Sequence, residues 1–314
     1  FIKIMTSNLK KITLISSLLR ACRPRQWTKN FLVFAAPLFS FQFDPIIWLN
    51  SFIAFITFCL ISAAIYLFND IQDIANDRAH PSKRMRPIAS GDLPISIAFC
   101  GSLFFSLISI ILGLIISSKL GLIILIYGLI QIAYCLRLKK EPLLDILCIA
   151  SGFLLRALAG VLASGLSFSP WFILTVALLA LFLAVEKRKA ELRCYKKSGL
   201  LTRQVLNRYS LPLLLRFESL LASSAFISYS LWAAGPSLNG AISQWMLLST
   251  PFVLIGIFRY QLISDPEEYE RRQLRGKTIT TEKPEEILLG DKGIKLTILG
   301  WLVTVFIIGV TYQA

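Results

Sequence analysis

Residues Asn69–Gly91 read NDIQDIANDRAHPSKRMRPIASG and lie between two long apolar runs. Four side chains that can offer oxygen to a metal, Asn69, Asp70, Asp73 and Asp77, fall within nine residues. On an α-helix, at about 100° per residue, they stand at about 0°, 100°, 40° and 80°, so one face carries all four. Carboxylate and amide oxygens gathered this way suit Mg2+, which takes oxygen ligands, retains water and often bridges to substrate phosphates. The sign then reverses: Arg78, His80, Lys83, Arg84 and Arg86 follow within ten residues. Metal ligands followed by cations at the end of an apolar helix read as a site for a diphosphate held through Mg2+. The plain alternative is a solvated helix end that carries only an orientation signal. It is the weaker reading, because three acids on one face repel one another unless a cation sits among them.

The apolar runs on either side set the class of the chain. Its 314 residues are 55% hydrophobic, with a mean hydropathy of +0.67. That is too apolar for a soluble domain, and the apolar residues come in long blocks. The net charge of +15 would suit nucleic acid, but the cations sit between membrane-length runs. The positive-inside rule and anionic substrates account for them better, so nucleic acid is not expected as a partner. The six cysteines, Cys22, Cys59, Cys100, Cys135, Cys148 and Cys194, have no CxxC or metal spacing and read as reduced packing residues.

The pattern predicts an all-α polytopic membrane protein, a single integral domain over 1–314. Nine spans are expected, at about 28–43, 46–69, 94–117, 119–136, 142–164, 168–186, 209–235, 242–262 and 293–312, each near the roughly 20 residues a bilayer requires. The first is the weakest, with Pro37 inside it. Residues 1–27 form an interfacial segment. Within it, 8–22 place Ile12, Ile15, Leu18 and Leu19 on one face among Lys10, Lys11 and Arg20, as a helix lying on a membrane would. The apolar core there is short and no A-x-A site follows, which argues against a cleaved signal peptide.

With the N-terminus in the cytoplasm, the cytoplasmic loops are 70–93, 137–141, 187–208 and 263–292. Of 33 Lys and Arg residues, only Lys119 then falls on the outer side. That asymmetry supports the orientation and puts Asn69–Gly91 in the cytoplasm.

Two further patches follow. Tyr134–Asp145, YCLRLKKEPLLD, offers Lys139 and Lys140 to phosphate oxygens, with Glu141 and Asp145 four residues apart on one helical face. Arg156 continues that face about 16 Å further along the helix. So deep an arginine either lines a polar cavity or pairs with an acid such as Asp145 or Asp77; cavity lining is the stronger reading. Glu186–Lys197, EKRKAELRCYKK, abuts a span end. Lys187, Arg188 and Glu191 are placed to line a shared cavity mouth, whereas Arg193, Lys196 and Lys197 read as orientation signals. His80, the one histidine, either donates to an oxyanion or caps a turn before Pro81. There is no Ser-His-Asp or Cys-His set and no P-loop lysine, so hydrolase and nucleotide-hydrolysis chemistry has no support.

These residues resemble the UbiA superfamily of intramembrane prenyltransferases, with NDxxDxxxD at Asn69–Asp77 as its first metal motif. The finer resemblance is to the decaprenyl-phosphate phosphoribosyltransferase branch. It rests on RPRQWTKNFLVFAAPLF from Arg23, on Asn69–Gly91, on LKKEPLLDILCIASGFLLRALAG from Leu138, on KRKAEL from Lys187 and on PEEILL from Pro284. Aromatic prenyltransferases of the superfamily carry a second acidic motif, DxxxD, near the end of the sixth span. Here that region reads EKRKAEL, more basic than acidic.

The resemblance implies a UbiA-type bundle around a cytoplasm-facing cavity in the bacterial inner (cell) membrane. It also implies a Mg2+-dependent reaction of phosphoribosyl pyrophosphate with a polyprenyl phosphate, giving a lipid-linked pentose donor for cell-wall glycan synthesis. Asn69, Asp70, Asp73 and Asp77 would hold Mg2+. Lys83, Arg84 and Arg86 would contact pyrophosphate or the 5-phosphate, with Asp73, Asp77, Lys83 and Asp145 as the catalytic set. Lys139, Arg156, Lys187, Arg188 and Glu191 would bind substrate, with Asp145 and Glu191 holding ribose hydroxyls or orienting the cations. A second copy of the chain is a further expected partner. The rival within the family is an aromatic prenyltransferase joining a prenyl diphosphate to a hydroxybenzoate or quinone precursor. The rival outside it is a transporter of phosphorylated lipids, which would favour inverted repeats; none is evident in the sequence.

Overall fold

A computed structural model describes residues 14–80, 83–167, 169–198, 204–268, 271, 287 and 290–313. Every regular element among them is helical. The long helices are α1 (Pro45–Gln72), α2 (Ile95–Ile116), α3 (Ser118–Leu136), α4 (Leu144–Ser164), α5 (Pro170–Ser198), α6 (Leu211–Ala233), α7 (Thr250–Ile263) and α8 (Lys292–Gln313). A 3-10 turn, Gln244–Ser249, leads into α7. Eight described helices are long and apolar enough to cross a membrane, the seventh counted as Gln244–Ile263.

Their starts are specified locally. Asp44 Oδ1 accepts the Ile46 amide at 2.8 Å, ahead of which Pro45 occupies the first helical position. Ser117 and Ser210 cap α3 and α6 in the same manner. Outward-facing Phe104, Leu107, Leu299 and Phe306 are exposed, which suits contact with hydrocarbon.

The stretch 28–43 is not among the eight. Pro24–Phe34 is a 3-10 helix, followed by a five-residue α-helix, Ala35–Phe39. The three-residue period shows in its burial: Asn30 and Val33 are the buried positions of Pro24–Phe34. The segment runs antiparallel to α1. Arg23 meets Asp70, Asn30 meets Cys59, Phe31 meets Phe55 and Phe34 meets Trp48. At about 2.0 Å per 3-10 residue and 1.5 Å per α residue, Pro24–Phe39 extends about 30 Å, the thickness of a hydrocarbon core. The expected first span is therefore a 3-10 helix followed by a short α-helix, and not one α-helix of spanning length.

Two other expectations change. Residues 187–198 continue α5 and are not loop. Of the interfacial segment 1–27, residues 14–21 are helical, while 1–13 lie outside the described residues, as does most of the expected loop 263–292.

The chain sorts into two compact units. The first is Phe1–Leu38, Gln42–Leu138 and Leu155–Leu166; the second is Phe39–Phe41, Lys139–Leu154 and Ser167–Ala314. In the first, Val33, Ala54, Phe58, Leu120, Ile124 and Ala159 form a buried core. Gly160 lies against the backbone of Val33, where a Cβ would overlap the Val33 carbonyl oxygen. Gly160→Ala should therefore lower stability by about 1–3 kcal/mol through overpacking. Thermal melting in detergent checks this, and an unchanged midpoint would refute the close approach. In the second unit, Phe39, Phe172, Trp232 and Trp301 form an aromatic cluster. Beside it, Trp301 Nε1 donates to Tyr229 Oη at 2.6 Å. A separate core gathers Ile146, Val185, Leu206, Tyr209 and Leu214.

Candidate functional site

In the first unit the site begins where α1 stops. Asp73 has φ −94° and ψ 9°, so α1 ends at Gln72 and a short helix, Ile74–Ala79, restarts beyond it. Backbone bonds bracket the break, from the Asp73 amide to Asn69 O at 2.9 Å and from the Asp77 amide to Asp73 O at 2.8 Å. One continuous helical face through 69–77 is thus not what forms. Asp70 and Asp77 are buried, at 2% and 3% exposure, whereas Asn69 and Asp73 are half-buried.

Two buried carboxylates this close repel, and arginine offsets the repulsion. Arg86 Nη1 donates to Asp77 Oδ2 at 2.6 Å and to Asp70 Oδ1 at 3.2 Å. Arg23 Nη2 also pairs with Asp70 Oδ1, its guanidinium 4.9 Å from the Tyr66 ring centroid. Burial raises the pKa of Asp77; Arg86 opposes the shift and Asp70 adds to it. Arg86, expected on phosphate, therefore also holds the acids. Its planar fork has five donors, so Nη1 on the carboxylates leaves other N–H groups that can meet an anion. Arg23 is a site residue the sequence reading did not single out, although it opens the quoted RPRQWTKN.

The cation-rich turn is built locally. His80 Nδ1 accepts the Lys83 amide at 3.3 Å. Arg78 Nε donates to Ala89 O at 3.1 Å. Gly91, at φ +91°, closes the helix Pro87–Ser90. Lys83 is half-buried and Arg84 exposed.

This donor set fits a hard divalent cation in its chemistry. It comprises one amide and three carboxylates, with Asn69 and Asp73 open enough to reach a ligand. Among the described residues, no three His, Cys, Asp or Glu side chains already form a closed metal cage. Mg2+ sites that serve phosphates typically take one or two carboxylates and complete the shell with water and substrate oxygens.

Arg156 lies in the same unit, buried in the core. Its Nε donates to Asn30 Oδ1 at 2.6 Å, and its Nη2 donates to Tyr127 Oη at 2.9 Å and Ser62 Oγ at 3.3 Å. The guanidinium also faces the rings of Phe58 and Tyr127, at 5.6 and 5.0 Å. These partners are neutral; Asp145 and Asp77, the acids named as the alternative to cavity lining, are not among them. Oxygen dipoles and ring faces spread over a delocalised cation what a single carboxylate would otherwise neutralise.

In the second unit the acids and bases of the other two patches meet. Asp145, fully buried in the first turn of α4, accepts Arg188 Nε at 2.5 Å and the Tyr209 hydroxyl at 2.6 Å. Arg188 also pairs with Glu191, three residues on along α5. Lys189 bridges Glu186 and Glu218. Arg188 is thus not exposed for phosphate, as expected from sequence, but locks Asp145 and Glu191. Lys187 is the less buried position in a run where Glu186, Arg188 and Lys189 are all buried. Lys187 and Lys139 are half-buried and Lys140 is exposed.

The UbiA prenyltransferase family model matches residues 31–277. The decaprenyl-phosphate phosphoribosyltransferase of Corynebacterium glutamicum is 36% identical over 296 residues, covering 92% of this chain and 85% of that protein. The protein of the same name from Mycolicibacterium smegmatis is 34% identical over 304 residues, covering 93% and 92%. Among solved structures, a UbiA homolog from Archaeoglobus fulgidus bound to GPP and Mg2+ aligns over 94% of this chain and 99% of its own. The TM-score is 0.68 at 19% identity, a likeness of fold. The match across most of the length, with relatives this similar along nearly the whole chain, makes it a member of the UbiA prenyltransferase family.

Proposed function

We propose that this transferase moves 5-phosphoribose from phosphoribosyl pyrophosphate to a polyprenyl phosphate in a Mg2+-dependent reaction at the cytoplasmic face of the bacterial inner membrane. A lipid phosphate oxygen forms a bond to the anomeric carbon, and the bond from that carbon to pyrophosphate breaks, the pyrophosphate leaving with the electron pair. The phosphate monoester is already anionic, so no strong base is required. The remaining demand is to hold several anions together and stabilise the leaving group.

Asn69, Asp73 and Asp77 would hold the cation, with Asp70 beside them, and Arg86 and Arg23 fix the buried acids. When bound, the cation supplies charge neutralisation for pyrophosphate as it departs. Lys83 and Arg84 bind pyrophosphate or the 5-phosphate. Lys139 and Lys187 serve the other phosphates as mobile point charges. Asp145, fully buried and not open to ribose hydroxyls, acts through Arg188, while Glu191 acts through Arg188 or accepts a ribose hydroxyl.

One observation favours this reading over aromatic prenyl transfer. The acids near the end of α5 are already paired with bases on the same helix, Glu186 with Lys189 and Glu191 with Arg188. With three bases to two acids, EKRKAEL suits a second phosphorylated substrate better than a second Mg2+ on a prenyl diphosphate. The names of the relatives at 34–36% identity support the same choice. The test is purified protein given labelled phosphoribosyl pyrophosphate and polyprenyl phosphate, beside prenyl diphosphate and hydroxybenzoate. Label is expected in lipid only in the first pair; product only in the second pair would overturn the proposal.

A further inference from the structure

Leu143, the residue before α4, has φ +66°, in the left-handed region that residues other than glycine seldom occupy. Its side chain is exposed, so its conformation is set through the backbone. The Leu143 carbonyl accepts the Leu147 amide at 2.9 Å, in register with the first turn of α4. The Leu143 amide donates to Tyr209 Oη at 2.7 Å. A leucine has no side-chain oxygen with which to organise a helix start. A tyrosine 66 residues away instead anchors the amide of Leu143 itself.

The same hydroxyl donates to Asp145 Oδ1 at 2.6 Å, and Asp145 Oδ2 takes Arg188 at 2.5 Å. Tyr209 is itself buried among Ile146, Val185, Leu206 and Leu214. Burial, and the hydrogen bond to Asp145, raise the pKa of its phenol, so it stays a donor throughout the physiological range. One oxygen therefore ties together a strained backbone, a buried acid and, through that acid, a buried arginine. Shortly before the strained residue is the turn Leu138–Lys140, which carries Lys139 and Lys140.

We propose that Tyr209 is a positioning residue for phosphate binding: it holds Leu143 in the left-handed conformation and so fixes the turn that presents Lys139 and Lys140 to phosphoribosyl pyrophosphate. The inference rests on the phosphoribosyl transfer proposed above. It adds a residue that touches no substrate and acts through backbone geometry. Without the hydroxyl, Leu143 relaxes toward negative φ and the lysine turn is aimed elsewhere.

The test uses the full chain with Mg2+, labelled phosphoribosyl pyrophosphate and polyprenyl phosphate, and measures KM and kcat separately. A wild type that ignores phosphoribosyl pyrophosphate overturns the functional reading and, with it, the role given to Tyr209. With wild type active, only the role of Tyr209 is at stake. Tyr209→Phe should then raise KM for phosphoribosyl pyrophosphate about tenfold with a much smaller change in kcat. Glycine adopts positive φ without strain, so adding Leu143→Gly to Tyr209→Phe should recover most of that loss. A tyrosine that merely packs would lower the melting temperature, leave KM where it was and gain nothing from glycine; either result overturns the inference. Should Tyr209→Phe not fold, the exposed position decides alone. Leu143→Val, β-branched and ill-suited to positive φ, should raise KM, and Leu143→Gly should not. Equal KM values for those two variants would also overturn it.

Discussion

Asp73→Ala and Asp77→Ala should each lower turnover by more than about 100-fold, beyond the 10–100-fold that loss of a residue merely supporting a metal ligand costs. The two differ in what else they disturb. Asp73 is half-buried at the break after α1, so its loss should leave the melting temperature within a few degrees of wild type. Asp77 is buried and accepts Arg86 at 2.6 Å, so its loss also frees one end of a bridge. Arg86 keeps Asp70 at 3.2 Å, and the stability cost should stay below the about 3–5 kcal/mol of a buried charge left wholly without a partner. Asp73→Ala is thus the cleaner test: inactive, folded, and indifferent to added Mg2+. A rate near wild type in either variant, or wild-type turnover that survives EDTA, would remove the metal from the proposal.

That cluster was legible because its chemistry is local. Four oxygen donors and then five basic or imidazole side chains within one short stretch need no tertiary knowledge to be noticed. Its division into a buried pair and a half-buried pair was not legible, because it follows from one backbone torsion pair at Asp73 that periodicity cannot show. The stretch 28–43 has the apolar length of a span, but its start lies inside a Pro-initiated 3-10 segment. Residues 187–198 looked like loop because charge ends an apolar run. In the structure α5 continues, since its charges pair at i,i+3, Glu186 with Lys189 and Arg188 with Glu191. That spacing was present in EKRKAEL and could have been read as helix. Asn30 and Tyr209 left no such trace. Each is a single polar residue whose partner lies far along the chain, 126 positions for Asn30 with Arg156 and 64 for Tyr209 with Asp145.

Lys187 and Arg188 are adjacent in sequence, yet reversing their charges should have opposite meanings. Arg188 has no exposed side-chain surface and holds Asp145 and Glu191 together. Arg188→Glu would put a third acid beside the buried Asp145 and the half-buried Glu191, with only the Tyr209 hydroxyl left as a donor described on Asp145. Breaking a buried pair costs about 3–5 kcal/mol, and reversal adds repulsion. Against a total stability of about 5–15 kcal/mol, most of the protein should fail to accumulate folded. Lys187 is half-buried one position away, and Lys187→Glu should fold normally. If Lys187 meets a substrate phosphate, losing that charge-assisted contact costs about 1.5–3 kcal/mol, and the new repulsion raises the figure. At about 1.4 kcal/mol per decade, phosphoribosyl transfer should fall by at least one to two decades. The paired measurement is melting temperature beside kcat/KM for phosphoribosyl pyrophosphate. Full activity in Lys187→Glu would take that lysine out of the binding set, and an Arg188→Glu protein as stable as wild type would show that the buried pairing with Asp145 and Glu191 does not hold that end of α5.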